Sequence, residues 1–322
     1  MATAANRRTF PIARDVVGID LLFQGRPNLI ASFVLIGPGG RFVIIEPGPE
    51  STLDGLKAGL AEAGLSLQRL EGVLVTHIHL DHAGAAGQLS REAACPVWVH
   101  ETGLPHLADP SRLWASASRT FGADLMEQLW KGITPVPKEL LRGIGEHAAL
   151  EFFGHTVEAL YTPGHAAHHV AYLLDGELLF AGDAAGVAPP GRSYVRVPAM
   201  PPELDVEQWD ETTRRLRSLG LRKLVFTHFG PASGPPEGYL ESVSRQLEAW
   251  SEAVLAGLKA GASDEELARR LQALEVSAAA AHGVDARELE AYELITPIRL
   301  IVKGYQRYWQ KVHPERLDLT PA

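Results

Sequence analysis

Apolar positions recur in two rhythms along the chain, and the switch between them divides it. Up to about residue 235, short β-branched runs alternate with stretches of helical spacing. Leu29–Ile36 and Arg41–Glu46 are two such runs, and Gly37–Pro38–Gly39–Gly40 between them predicts a hairpin. Leu53, Leu56 and Leu60 follow at helical spacing, with Gly64 as the stop. Gly72–Thr76 reads as a short buried strand running straight into His77. Ala85–Glu92 reads as a helix, Pro96–His100 as a strand, and Ser111 to Trp130 as one helix. Pro135 to Gly145 carries the prolines and glycines of a connection. Three strands are expected next, at His155–Tyr161, His169–Leu174 and Glu177–Phe180. Asp175–Gly176 gives the last two a tight hairpin. Asp205 predicts the cap of a helix running to Leu219, with Gln208 three residues on. Leu221–Thr227 is a last strand, ending at His228.

After about residue 236 the spacing is helical throughout. Leu240, Val243, Leu247, Trp250, Val254 and Leu258 form one stripe. Ser263 and Glu266 mark the start of a short helix. Thr296–Pro297 opens another, with Ile298, Ile301, Tyr305 and Tyr308 on one face. The expected class is therefore α/β, with sheets inside and helices outside. The expected division is a catalytic domain over 1–235 and a helical extension over 236–322.

Composition narrows this picture. Apolar residues at 46% and charged residues at 21% are the mix of a chain able to bury a core, which argues against wholesale disorder. A net charge of -9 argues against a surface that tracks nucleic-acid phosphates. No uninterrupted apolar run reaches the roughly 18 residues of a membrane span. Met1 to Phe10 carries Arg7 and Arg8 without the apolar stretch of a secretory signal. The expectation is a cytoplasmic enzyme acting on a small molecule, with neither nucleic acid nor membrane as partner. Cys95 is the single cysteine, so no intramolecular disulfide is available. Its neighbours Pro96, Val97, Trp98 and Val99 suggest a buried side chain.

The chemistry is concentrated in Thr76-His77-Ile78-His79-Leu80-Asp81-His82, where four metal-capable side chains fall within six residues at a strand end. Alternation in an extended stretch sends the His77 and His79 rings to one side. The following turn brings Asp81 and His82 toward the same cavity. Neutral imidazoles with carboxylates suit zinc and related divalent ions. Three further donors also end apolar strands. They are His165 in Tyr161-Thr162-Pro163-Gly164-His165, Asp183 in Phe180-Ala181-Gly182-Asp183, and His228 in Phe226-Thr227-His228-Phe229-Gly230.

Over about residues 15–235 this pattern resembles the metallo-β-lactamase superfamily of metallohydrolases. The resemblance implies a four-layer αββα sandwich with the site along one edge of two sheets. It also implies that His77, His79 and His165 hold one metal, that Asp81, His82 and His228 hold a second, and that Asp183 bridges them. The implied cofactor is a pair of zinc ions, with iron or manganese as alternatives. The implied activity is hydrolysis of a small-molecule ester, thioester or lactone by a metal-bridging hydroxide, with Asp81 and Asp183 as the catalytic carboxylates. The superfamily usually has an Asp-containing turn where this chain has Ile45-Glu46-Pro47-Gly48, so Glu46 is the candidate to orient a metal-binding imidazole from behind. True β-lactamases of this fold usually carry Cys where Asp183 stands, which argues against antibiotic hydrolysis. Thr162-Pro163-Gly164-His165-Ala166-Ala167-His168-His169 and Thr227-His228-Phe229-Gly230-Pro231 resemble stand-alone hydrolases of the superfamily. Two rival functions remain, a mono-iron persulfide dioxygenase of the same superfamily and a non-catalytic metal-binding interaction protein.

Other positions carry weaker expectations. His168 and His169 are expected to be structural. Arg192, Tyr194 and Arg196 alternate on the loop after Asp183 and are candidates to receive an anionic or ester group. The C-terminal helices are open to three roles: capping the site, forming a homodimer, or packing on the sandwich.

Overall fold

The structure is a computed structural model that describes residues 7–317. Part of the Met1 to Phe10 stretch, residues 1–6, therefore lies outside the described residues. By its contacts the chain divides into two compact units. The first comprises the described part of Met1–Tyr161 with His168–Gly182 and Val225–Pro231. The second comprises Thr162–Ala167, Asp183–Leu224 and the described part of Ala232–Ala322.

The first unit holds two sheets. One is ordered β1 (Thr9–Ala13), β2 (Val16–Asp20), β3 (Ala31–Ile36), β4 (Phe42–Ile45), β5 (Leu70–Leu74), β6 (Val97–His100) and β7 (Leu141–Ile144). Its first four strands pair antiparallel and its last four parallel. The parallel steps need crossovers, and helices supply them. These are α1 (Leu53–Glu62), then α2 (Leu80–Ala83) and α3 (Ala86–Ala93), then α4 (Leu104–Ala108), α5 (Ser111–Phe121) and α6 (Ala123–Trp130). The other sheet is built from β8 (His147–Phe152), β9 (His155–Tyr161), β10 (Val170–Leu174), β11 (Leu178–Phe180), β12 (Lys223–Phe226) and β13 (Gly230–Pro231), side by side in that order. Phe33, Ile45 and Leu74 from the first sheet share one core with Val157, Tyr172 and Phe180 from the second. The Phe33 and Phe180 rings lie 5.2 Å apart, and the buried Tyr172 hydroxyl donates to the Val75 carbonyl at 2.9 Å.

In the second unit, α7 (Val206–Arg217), α8 (Pro236–Lys259), α9 (Asp264–Ala280), α10 (Ala286–Tyr292) and α11 (Ile298–Lys311) pack on one another. Leu240, Val243, Leu247, Trp250 and Val254 are the buried stripe of α8, and Ile298, Ile301, Tyr305 and Tyr308 that of α11. A side chain at Gly257 would stand 2.3 Å from Leu267, so this glycine sets how closely α8 and α9 approach. Among the described residues, no helix is long and apolar enough to cross a membrane.

Several elements differ from the sequence reading. The expected helix from Ser111 to Trp130 is two helices, broken at Gly122, whose φ of 88° with ψ of 146° no helix accommodates. The helix after Ser263 is not short. It runs 17 residues and absorbs most of the Ala-rich Ser277–Ala281. Strands β1, β2, β7 and β8 and helix α10 carried too little apolar periodicity to be read. β1 and β8 are sheet edges, and Pro11 stands in β1 where an edge tolerates a missing N–H donor.

Candidate metal centre

The first unit carries five of the seven candidate donors. β4 ends at Ile45, and Glu46 follows it with φ at 63°, a left-handed turn that folds its fully buried side chain back under the end of β5. There the carboxylate gathers three donors. One oxygen accepts from the Thr76 amide at 2.8 Å. The other accepts from the Thr227 hydroxyl at 3.0 Å and from Nδ1 of His82. Nδ1 of His228 donates to the Leu29 carbonyl at 2.8 Å. With both Nδ1 atoms engaged, the Nε2 atoms of His82 and His228 are the ones left to face a ligand.

Those two Nε2 atoms stand 3.4 Å apart. Oδ2 of Asp81 lies 3.4 Å from Nε2 of His228 and 3.7 Å from Nε2 of His82. Two donors about 2.05 Å from one ion at the tetrahedral angle stand about 3.3 Å apart. Asp81, His82 and His228 therefore have the spacing and the donor chemistry of three vertices around a zinc-sized ion.

His77 and His79 lie on the same loop. Nδ1 of His77 meets the Thr76 hydroxyl at 3.0 Å, while Nε2 of His77 and Nδ1 of His79 approach to 2.8 Å. The alternation expected from the extended stretch thus brings one nitrogen of each ring to a common point. His168 and His169, both buried, pack beside His77 with ring centroids at 6.0 and 4.9 Å.

The remaining two donors belong to the second unit, where they form a pair. Nε2 of His165 and Oδ2 of Asp183 are 3.3 Å apart, again the edge of a tetrahedral site, and both side chains are buried. The His165 ring is held through Nδ1, which donates to the Pro198 carbonyl at 2.9 Å. Helix α7 grips the chain beside each donor. Thr212 donates to the Pro163 carbonyl at 2.7 Å, and the Trp209 indole donates to the Ala184 carbonyl at 2.8 Å. Gly164 is required for this, because its φ is 128° and a Cβ there would lie 2.3 Å from the Trp209 backbone.

Arg192, Tyr194 and Arg196 are placed differently from the expectation that they receive an anionic group. Arg196 is 1% exposed. Its guanidinium donates to both oxygens of Glu275 at 2.6 and 2.7 Å, to Glu293 at 2.8 Å and to the Thr296 carbonyl at 2.8 Å. The Tyr194 hydroxyl donates to Glu275 at 3.0 Å. Arg192 is paired with Glu288. Alternation does place Tyr194 and Arg196 on one side, but that side meets α9, and acidic residues of the chain already hold all three.

The residues that sequence reasoning missed are those behind the candidate donors: Thr76, Thr227, Leu29 and Pro198. A signal for the threonines was present, since Thr stands immediately before His at both Thr76-His77 and Thr227-His228. The carbonyls of Leu29 and Pro198 have no sequence signature.

Comparison with known proteins gives the family and the fold. The family model described as the metallo-beta-lactamase superfamily matches residues 26–228. A metallo-beta-lactamase fold-containing protein of Sulfurisphaera tokodaii is 29% identical over 171 residues, 52% of this chain and 63% of that one. An atrochrysone carboxyl ACP thioesterase of Aspergillus fumigatus is 28% identical over 58% of this chain and 47% of its own length. A hydroxyacylglutathione hydrolase of Halorhodospira halophila is 33% identical over 39% of this chain and 37% of its own. The matched region thus spans roughly one to two thirds of each of these relatives. Among solved structures, a metallo-beta-lactamase family protein of Thermus thermophilus superposes with a TM-score of 0.65 at 23% identity, covering 88% of this chain and 89% of that one. An archaeal superfamily protein of Sulfolobus tokodaii gives 0.63 at 22%, covering 92% and 99%. The family match over most of the sandwich and these likenesses of fold lead to one conclusion: the chain belongs to the metallo-beta-lactamase superfamily and has its α/β fold, two sheets flanked by helices with further helices at the C-terminal end.

Proposed function

We propose that the protein is a two-metal hydrolase of a small-molecule ester, thioester or lactone. In this reading, which follows the superfamily resemblance, His77, His79 and His165 hold one ion and Asp81, His82 and His228 the other, with Asp183 bridging them. The convergence of Asp81, His82 and His228 at tetrahedral spacing carries the reading, because a single-ion enzyme has no need of a second complete donor set. Zinc suits this imidazole-carboxylate chemistry. When bound, such a pair of ions supplies a water acidic enough to attack near neutral pH and polarises the acyl oxygen.

The chain's own residues have definable tasks. Glu46 and the Pro198 carbonyl fix the tautomers of His82 and His165, which leaves Nε2 of each as the donor. Asp81, with 19% of its side chain exposed, is placed to pass a proton between the site and bulk water. Two of the relatives are named as a thioesterase and a hydroxyacylglutathione hydrolase, which supports acyl transfer to water as the reaction class. The test is a panel of esters, thioesters and lactones assayed with Asp183→Asn beside the parent. The expected result is turnover of at least one class, lost on substitution. Survival of that activity in the variant would remove Asp183 from the reaction and the reading with it.

A further inference from the structure

The second unit contains a buried polar network that the hydrolytic reading leaves unused, and it ends one residue from the atom that holds His165. Arg196 is its centre. Burial pushes this guanidinium toward the neutral form, and the hydrogen bonds and charge of Glu275 outweigh burial and keep it ionised. The central carbon of the guanidinium lies over the Tyr292 ring, 5.1 Å from its centroid. Gln246 of α8 holds the same strand of chain from another side. Its amide oxygen accepts from the Val197 amide at 2.6 Å, and its amide nitrogen donates to the Val195 carbonyl and the Tyr194 hydroxyl, both at 3.2 Å. The backbone of Arg196 is paired both ways with Val187 at 2.9 Å. On the far side, Gly304 of α11 lies so close to the Ala199 carbonyl that an added Cβ would stand 1.9 Å from it.

Residues 195–199 are therefore gripped by α8, α9 and α11 and by the turn that carries Glu293 and Thr296. Pro198 is within that grip. Its carbonyl accepts from the Met200 amide at 2.8 Å and from Nδ1 of His165 at 2.9 Å. A ligand imidazole depends on the acceptor behind it for tautomer and aim, and displacing that acceptor typically costs 10- to 100-fold in metal affinity, as an order of magnitude (about 1–2 decades). We infer that Gln246 and Arg196, with Glu275, are positioning residues for His165, acting through the Pro198 carbonyl. The C-terminal helices then hold a ligand in register. The inference rests on the reading of His165 as a metal ligand.

Gln246→Met tests it, since it keeps the volume and removes both polar atoms. Arg196→Lys is the second variant, keeping the charge and losing the fork. Two readouts are taken. Zinc is titrated into the metal-free full chain against a chromophoric chelator, and the step that His165→Ala abolishes is followed. Ring N–H signals of the metal-free chain are recorded by nitrogen-15 NMR to follow the His165 Nδ1 proton. The expected result for both variants is a folded chain whose His165-dependent step weakens by roughly 10- to 100-fold while the other step is unchanged, with the protected His165 ring proton lost to exchange. Lys303→Ala, which removes the exposed ion pair with Asp264, is expected to change neither. Wild-type affinity at both steps with the ring proton retained would overturn the inference. If the parent bound no ion, the metal reading would fail instead, and the ring proton would still report whether Gln246 and Arg196 position His165.

Discussion

Glu46 shows how much of a metal site lies in groups that touch no metal. Its carboxylate sits one methylene farther from the backbone than that of the Asp usual in such a turn. Its backbone is left-handed, with φ at 63°, and the carboxylate serves Thr76, His82 and Thr227 together. Glu46→Gln converts one acceptor oxygen into a donor facing groups that already donate. The expected outcome is a roughly 10- to 100-fold weaker hold on the ion at Asp81, His82 and His228, measured by chelator competition, with the His165-dependent ion unaffected. All seven metal-ligand candidates were legible in the sequence because each ends an apolar strand or follows one, and strand ends are periodic and easily read. The acceptors behind them were not, because a main-chain carbonyl such as that of Pro198 is recruited only by tertiary folding. The partner of Tyr194 and Arg196 was hidden for a related reason. Alternation in sequence gives the side a residue faces, and says nothing of Glu275, some 80 positions away, waiting on that side.

Several elements were legible from continuous apolar runs. β3, β4 and the β10–β11 hairpin bury nearly every side chain, and each was read from its apolar run, with Asp175 and Gly176 both at positive φ in the turn. β8 alternates exposed and half-covered positions along an edge, and that weak pattern reads as loop. The α7 cap was legible because its chemistry is local. The Asp205 carboxylate accepts from the Gln208 amide at 2.9 Å. Asp205→Ala is expected to cost about 0.5–2 kcal/mol in denaturant unfolding, the usual range for losing an N-cap. Because α7 carries the clamps on Pro163 and Ala184, the same variant should raise the rate of metal loss from the His165 and Asp183 pair. An unchanged unfolding midpoint would show that the cap is dispensable.

At the scale of the whole molecule, each unit positions its own donors: strand ends of the first carry five of them, and within the second the helices hold the chain behind His165. The α/β class and the helical character after residue 236 follow from the change of apolar period, since side chains share a face every 3.6 residues in a helix and every second residue in a strand. The pairing of strands distant in sequence does not follow, because parallel neighbours are joined by long crossovers with no tight turn to fix which strands meet. The substrate is likewise absent from both periodicity and donor set. The proposed function reads the donor set as a two-ion site, and the measurement that tests this most directly is the metal content per chain of protein purified without added metal, by inductively coupled plasma mass spectrometry. The account predicts two divalent ions per chain, zinc foremost, with one retained by His165→Ala. One iron per chain, with oxygen uptake on a persulfide, would contradict it and identify a mono-iron oxygenase.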